Sequence, residues 1–342
     1  MTENTHEFVQ LSVIPEMAEQ ADQLVEKAFG YVLPCRFRTD FAPLAGAHNL
    51  SHRYVLLDRT SQTVVAHVGV NLRSFIWEAE TVPVAFLGGI AVDESVRGLG
   101  LFHRMFVNVI ARYESQCAFF LLWSDKHDMY EKYGFHLAGR QWCYRVPGND
   151  ARGSLVRYSE LSATTREWMA SLYRDTINQR TFSPLRDVDD WRHIGEITSA
   201  ELRLTGDPAR PTGYYFLGKG MDLGGVVHDW AHEDGLEGLL RDSGAPGVVW
   251  AAQNADVGDH VRQDLQQLGL WRPNTHAMAL QKFSLLLEGA HVTWTYPHFH
   301  VRNGRGSWKL LPQELLDEMY SYGAHGLRPQ GVPVWVGGLD SV

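Results

Sequence analysis

Residues 84–92, VAFLGGIAV, form an unbroken apolar run. A strand with one wet face alternates apolar and polar side chains. A continuous run instead fits a strand covered on both faces, as in a parallel sheet. A polar loop, DESVRGLG, follows, and then Phe102, Met105, Phe106, Val109, Ile110 and Tyr113 recur at helical spacing. Residues 117–123, CAFFLLW, are a second apolar run. The segment between the runs is long enough for a helical crossover, so the two strands are expected to be parallel, with a right-handed connection. A short helix over 125–133 and a strand over 136–146 complete an α/β unit.

Simpler signals surround this unit. Residues 7–13 read as a strand and 15–29 as a helix, with Pro15 at its start and Gly30 past its end. Residues 52–58 and 63–75 read as strands joined by the turn RTSQ. VPGND at 146–150 has the composition of a linker. Beyond it a helix is expected over 164–180 and strands near 200–205, 213–217 and 223–230. A helix over 234–242, a strand over 247–252, a helix over 257–268 and a strand over 275–283 should follow. That order echoes the first half and predicts a diverged internal duplication. The division is 1–150, 151–284 and a C-terminal extension over 285–342 that packs on both, with a helix over 312–321 and the apolar run VPVWVGGLDSV.

Composition narrows the function classes. A chain of 342 residues exceeds one ordinary domain. Hydrophobic residues at 44% and charged residues at 21% fit a folded chain that needs no staples. Cys35, Cys117 and Cys143 are odd in number and far apart, which argues against a disulfide framework or a cysteine-rich zinc site. This fits a reducing, cytoplasmic compartment. The start, MTENTHEFVQ, lacks the basic and apolar regions of a secretory leader, and no apolar run reaches the ~18 residues of a spanning helix. The net charge is −9, with no Lys/Arg run of the kind nucleic-acid binding leaves. An acidic surface serves solubility, or attracts a cationic small molecule or basic peptide.

Arg97-Gly98-Leu99-Gly100-Leu101-Phe102 joins the first buried strand to its helix. The first amides of a helix have no intrahelical acceptor and sit at the positive end of its dipole. Glycine lets an anion reach them without a Cβ in the way, and an arginine adds a charge-assisted contact. The segment therefore suits a pyrophosphate, although glycines in a tight turn need no ligand. A Walker loop requires Gly-Lys-Ser/Thr at the helix start, which is lacking here. A dinucleotide fingerprint needs a third glycine where His103 stands and follows the first strand of a chain, not about the fourth. Both alternatives, including a nicotinamide-dependent oxidoreductase, are weakened.

The stretch GGIAVDESVRGLGLFHRMF resembles the acyl-CoA-binding motif of the GNAT acetyltransferases, Arg/Gln-x-x-Gly-x-Gly/Ala after a strand ending in Ala-Val. Arg97, Gly98, Leu99 and Gly100 match it, while Phe102 replaces its last small residue. LLWSDKHDMYEKYGF resembles the family's second motif through Tyr130, Glu131, Gly134 and Phe135. The two motifs stand in the family's order about 30 residues apart, and the resemblance covers roughly residues 5–147. The duplicated layout is similar to tandem members such as the enhanced-intracellular-survival acetyltransferases and mycothiol synthase. The resemblance implies a GNAT fold, a mixed central sheet with flanking helices, followed by a second, degenerate GNAT-like domain. That second domain lacks Arg-x-x-Gly-x-Gly between His228 and Leu239, so it is expected to bind no cofactor.

The same resemblance implies an acyltransferase moving an acetyl or short acyl group from acyl-CoA to a primary amine of a small molecule or peptide in a ternary complex. The diphosphate would lie on the amides of Arg97, Gly98, Leu99, Gly100, Leu101 and Phe102. The pantetheine would run along Ile90, Ala91 and Val92 like an added strand. The amide of Val92 would stabilise the oxyanion, and Tyr130 would protonate the leaving thiolate. A base is also required. Asp125, His127, Glu78 and Glu80 are candidates, and the tandem resemblance adds the carboxylate of Val342. A rival reading is a non-catalytic acyl-CoA sensor or scaffold. No metal is implied, since His228, Asp229 and His232 lack an evident third ligand partner. His67 reads as a satisfied sheet histidine, Tyr133 as core, and Trp77 as packing or the wall of an acceptor pocket.

Overall fold

A computed structural model describes residues 5–177, 181–252, 262–321 and 323–340. The chain begins with β1 (His6–Gln10) and α1 (Ala18–Phe29). Pro15 opens the 3₁₀ turn that leads into α1, and Gly30 ends the helix at φ 69°, a conformation glycine takes without strain. Two short helical turns, α2 (Phe37–Asp40) and α3 (Ala42–Ala45), return the chain to β2 (Arg53–Asp58) and β3 (Thr63–Trp77). Then come β4 (Glu80–Val92), α4 (Leu101–Tyr113), β5 (Phe119–Leu122), α5 (His127–Glu131) and β6 (His136–Ala151). As the two apolar runs predict, β4 and β5 are parallel and α4 is their crossover.

β7 (Ser154–Val156), α6 (Ala163–Ile177), β8 (Ser183–Pro184) and α7 (Val188–Ile194) lead into the next layer. β9 (Glu201–Asp207), β10 (Arg210–Leu217), β11 (Val226–His232), α8 (Gly235–Asp242) and β12 (Gly244–Ala252) follow. β11 and β12 are parallel, like β4 and β5. Three sequence expectations then fail. The helix expected over 257–268 is, in its described part, strand β13 (Arg262–Pro273). The strand expected over 275–283 is helix α9 (Ala277–Leu286). The linker expected at 146–150 is strand, because β12 pairs along β6 as far as Gly244 opposite Ala151.

The physical reason lies in the sheet. Among the described residues the strand order is β1-β2-β3-β4-β5-β13-β6-β12-β11-β10-β9-β7, with β8 on β3. β13 is antiparallel to both neighbours, Leu270–Pro273 against Phe119–Leu122 and Arg262–Trp271 against His136–Arg145. Its glutamine-rich start has little strand propensity, but a slot with a ladder on each side overrides that preference. The order is mirrored about the β13–β6 pair: each outer run of strands ends in a parallel pair that borders a strand from the other half.

The chain continues with β14 (His291–Thr295), β15 (His298–Asn303) and β16 (Gly306–Leu310), a separate three-stranded meander, and α10 (Pro312–Tyr320). Phe283, Phe299, Leu316 and Tyr320 from this region pack on Phe75, Phe86, Phe119 and Trp271 of the large sheet. α4 covers the opposite face through Met105, Phe106 and Val109. Val332, Val334, Trp335, Val336 and Leu339 are buried. Asp340 accepts from Arg73 on β3 at 2.9 Å and from Arg186 at 2.6 Å, and Arg186 also pairs with Asp229 on β11. Val342 lies outside the described residues. No helix among the described residues is long and apolar enough to cross a membrane.

Candidate active site

The parallel pair β4–β5 opens as it runs. Its strands pair only at Val84–Phe119, Ala85–Phe120 and Phe86–Leu121. β4 continues to Val92, while β5 ends at Leu122. Beyond Phe86, β4 therefore presents an edge without a strand partner on that side, and this open side is the candidate cleft.

A bulge turns that edge. On β3, His67 faces Ala91 and Gly69 faces Gly88, so Gly89 and Ile90 together oppose Val68. Gly89 adopts φ 58°, the left-handed region. The extra residue swaps the faces of the side chains. Val82, Val84 and Phe86 lie on one face of the sheet, with Ala85 and Leu87 on the other. After the bulge Ile90 and Val92 join Ala85 and Leu87, while Ala91 packs against α1. Backbone direction follows from one bond: the Asp93 amide donates to Val65 on β3 at 2.9 Å. Amides alternate along a strand, so the Val92 N–H points the other way, into the cleft.

The loop below the cleft is open. Gly98 and Gly100 have φ 81° and 73°, and a Cβ at either would meet nothing within 4 Å. These glycines serve conformation, not close packing. Gly100 caps α4, and the first described helical bond there runs from Arg104 N to Gly100 O. Among the described residues, the amides of Gly98 to His103 donate no hydrogen bond. Residues 97–100 are exposed. Arg97 pairs with Glu94 at 3.3 Å. Six unpaired amides, a helix dipole and an arginine suit a diphosphate.

Tyr130 stands on α5 with its ring edge-on to Phe102 at 6.0 Å and tilted against Phe106 at 5.6 Å. Its hydroxyl makes no hydrogen bond among the described residues. Burial first, and then the nearby Asp125 carboxylate, push its pKa up, so it holds its proton. Phe102, where the motif carries a small residue, turns its ring toward Tyr130 and Tyr133 and away from the exposed loop. Ile90, Val92, Leu101, Phe102 and Tyr130 share one apolar cluster.

Most other candidates lie away from this group, but Asp125, whose carboxylate acts on Tyr130, and His127, on the same helix, stay beside it. Glu78 and Glu80 lie at the opposite end of β4, about 40 Å from Val92 at ~3.3 Å per residue. Trp77 is core, with Arg328 over its ring. Asp125 pairs with Lys126 at 3.7 Å, and His127 begins α5. Asp229 is bound by Arg186, and His232 bridges Asp242 and the Asp234 amide, so these side chains do not converge as ligands. A different trio, His48, His193 and Glu196, does bring three ligand atoms within 4.8 Å. The imidazoles there stack with centroids 3.3 Å apart, so their in-plane lone pairs run side by side and do not meet. Sequence reasoning missed the bulge, whose only signal was the Gly88-Gly89 pair inside a strand pattern.

Residues 14–138 match the family model described as an acetyltransferase (GNAT) domain. A search of curated proteins finds no match. Among solved structures, the chain is similar to a probable N-acyltransferase of unknown function from Enterococcus faecalis, at 16% identity and TM-score 0.58 over 81% of this chain and 74% of that one. It is similar to a GCN5-related N-acetyltransferase from Anabaena variabilis, at 12% identity and TM-score 0.58 over 92% and 90%. It is also similar to Eis1 from Mycobacterium abscessus, at 14% identity and TM-score 0.56 over 89% and 84%. At such identities these likenesses speak for the fold alone. The domain match and the parallel pair above a glycine-turned helix start agree on one point: residues 14–138 match a GNAT acetyltransferase domain.

Proposed function

We propose that the chain transfers an acetyl or other short acyl group from acyl-CoA directly to a primary amine in the cleft between β4 and β5. The observation that carries this reading is the cleft itself: an edge of β4 with no strand partner beyond Phe86, leading to six free amides, with a protonated tyrosine in the same cluster. The loop from Arg97 to Phe102 holds the diphosphate, where negative charge meets a helix N-terminus. The pantetheine amides pair with the edge at Ile90, Ala91 and Val92. The Val92 N–H lies where charge develops on the thioester oxygen. Tyr130 supplies the proton that the departing thiolate takes up, and its raised pKa keeps that proton available. The acidic net charge of −9 favours a cationic acceptor.

The second half is a diverged copy that binds no cofactor. Its parallel pair and bulge repeat the first half, the bulge falling at His228 between Asp229–Phe216 and Val227–Leu217. Its turn into α8, however, carries Glu233 and Asp234 where the first half carries Arg97 to Gly100. Carboxylates there repel a diphosphate.

The test pairs calorimetry with thiol release. The expected result is one acetyl-CoA bound per chain and CoA thiol released only when a primary amine is supplied. Tight binding without release across a broad amine panel would favour a sensor, and no binding would end the reading.

A further inference from the structure

A buried polar chain ends on the bulge of β4. Arg38 donates to Asp22 on α1 at 2.8 Å, and Asp22 also accepts from Arg53 on β2. Arg53 donates to the Ala45 carbonyl at 2.8 Å and, through Nε, to His67 Nε2 on β3 at 3.1 Å. Because arginine only donates, His67 Nε2 is the acceptor and its proton sits on Nδ1. Nδ1 then donates to the Gly89 carbonyl at 2.7 Å. Asp22, Arg53 and His67 are 3%, 0% and 0% exposed.

Stability alone does not call for this chain. Replacing a buried ion pair with apolar groups of the same volume is often neutral or stabilising. What the chain does supply is geometry. The bulge takes the Gly89 carbonyl out of the regular ladder, and a buried carbonyl needs a donor. His67 is that donor. A Cβ at residue 89 would lie 2.7 Å from Phe37 and 3.2 Å from the His67 ring, so ring and phenyl close on a glycine. The bulge in turn sets which amides of Ile90 to Val92 face the cleft.

Resting on the acyl-transfer reading above, we propose that His67, seated by Arg53 and Asp22, is a positioning residue: its bond to the Gly89 carbonyl fixes the bulge and thereby aims the Val92 amide at the thioester. His67 touches neither acyl donor nor acceptor. Burial, together with the neighbouring Arg53 charge, pushes its pKa down to about 3, so it acts as a neutral donor and moves no proton.

Two substitutions separate the two ring nitrogens. His67→Asn places an amide N–H where Nδ1 stands and keeps the bond to Gly89. His67→Gln places its amide nearer Nε2, keeps the Arg53 contact and loses Gly89. The Gln variant is expected to lose on the order of 10-fold to 10²-fold in kcat, up to the loss of one oxyanion donor, with KM for acetyl-CoA within about twofold. Its backbone amides over residues 87–92 should exchange with deuterium faster. The Asn variant should restore most of both. A Gln variant as fast as the parent, or an Asn variant as slow as Gln, overturns the proposal. Exchange needs no turnover, so a parent protein that transfers no acyl group would end the acyl-transfer reading while the exchange data still decide the clamp.

Discussion

Tyr130 places one hydroxyl beside a cluster otherwise made of rings and aliphatic chains. Tyr130→Phe removes that hydroxyl and leaves the ring contacts with Phe102 and Phe106. The change should lower kcat by about 10-fold to 10²-fold, within the range of general-acid contributions, while the Kd for CoA by calorimetry stays put. Equal losses in both would make Tyr130 a packing residue. At this scale the sequence was informative where the requirement is local. Arg97, Gly98 and Gly100 announce themselves because a helix start and two left-handed turns constrain neighbouring positions only. The bond from His67 to Gly89 joins residues 22 apart, and nothing near either residue signals the other.

Among the elements, the loop into α4 and strand β13 carry opposite lessons. Gly100 sits at φ 73° in open space, so Gly100→Ala meets no clash and costs only backbone strain, about 1 kcal/mol. Because that strain shifts the very amides offered to the diphosphate, affinity for CoA should fall about tenfold, with Tm lowered by only a few degrees. A drop in Tm with unchanged affinity would show that the loop is not the anion site. The parallel pair, its crossover and most first-half strands were legible because burial on both faces leaves a continuous apolar signature. β13 was not, because its place is set by β5 and β6 more than a hundred residues earlier and the first half of its own residues, RQDLQQLGLWRP, is almost wholly polar. The same pairing explains why VPGND became strand: a proline- and glycine-rich stretch reads as a break until a partner such as β12 is laid beside it.

For the molecule as a whole, two buried imidazoles set an acid limit. His67 and His228 are fully buried, and burial pushes both down to about 3. Unfolded histidine titrates near 6.5. Below that pH the unfolded chain binds protons that the folded chain refuses. The stability contributed is therefore complete above pH ~6.5 and falls steadily as pH drops toward 3. Thermal melts across this window should show the decline. His67→Asn should reduce proton uptake on unfolding by about one at pH 5, and an unchanged uptake would mean that His67 is charged in the fold. The interlaced sheet also dictates a schedule of manufacture. β5, one wall of the cleft, lacks its outer neighbour until Pro273 has left the ribosome, long after both GNAT motifs have been made. A nascent chain carrying every residue assigned here to chemistry is thus still an unfinished edge, and it comes under selection for protection during synthesis as well as for turnover.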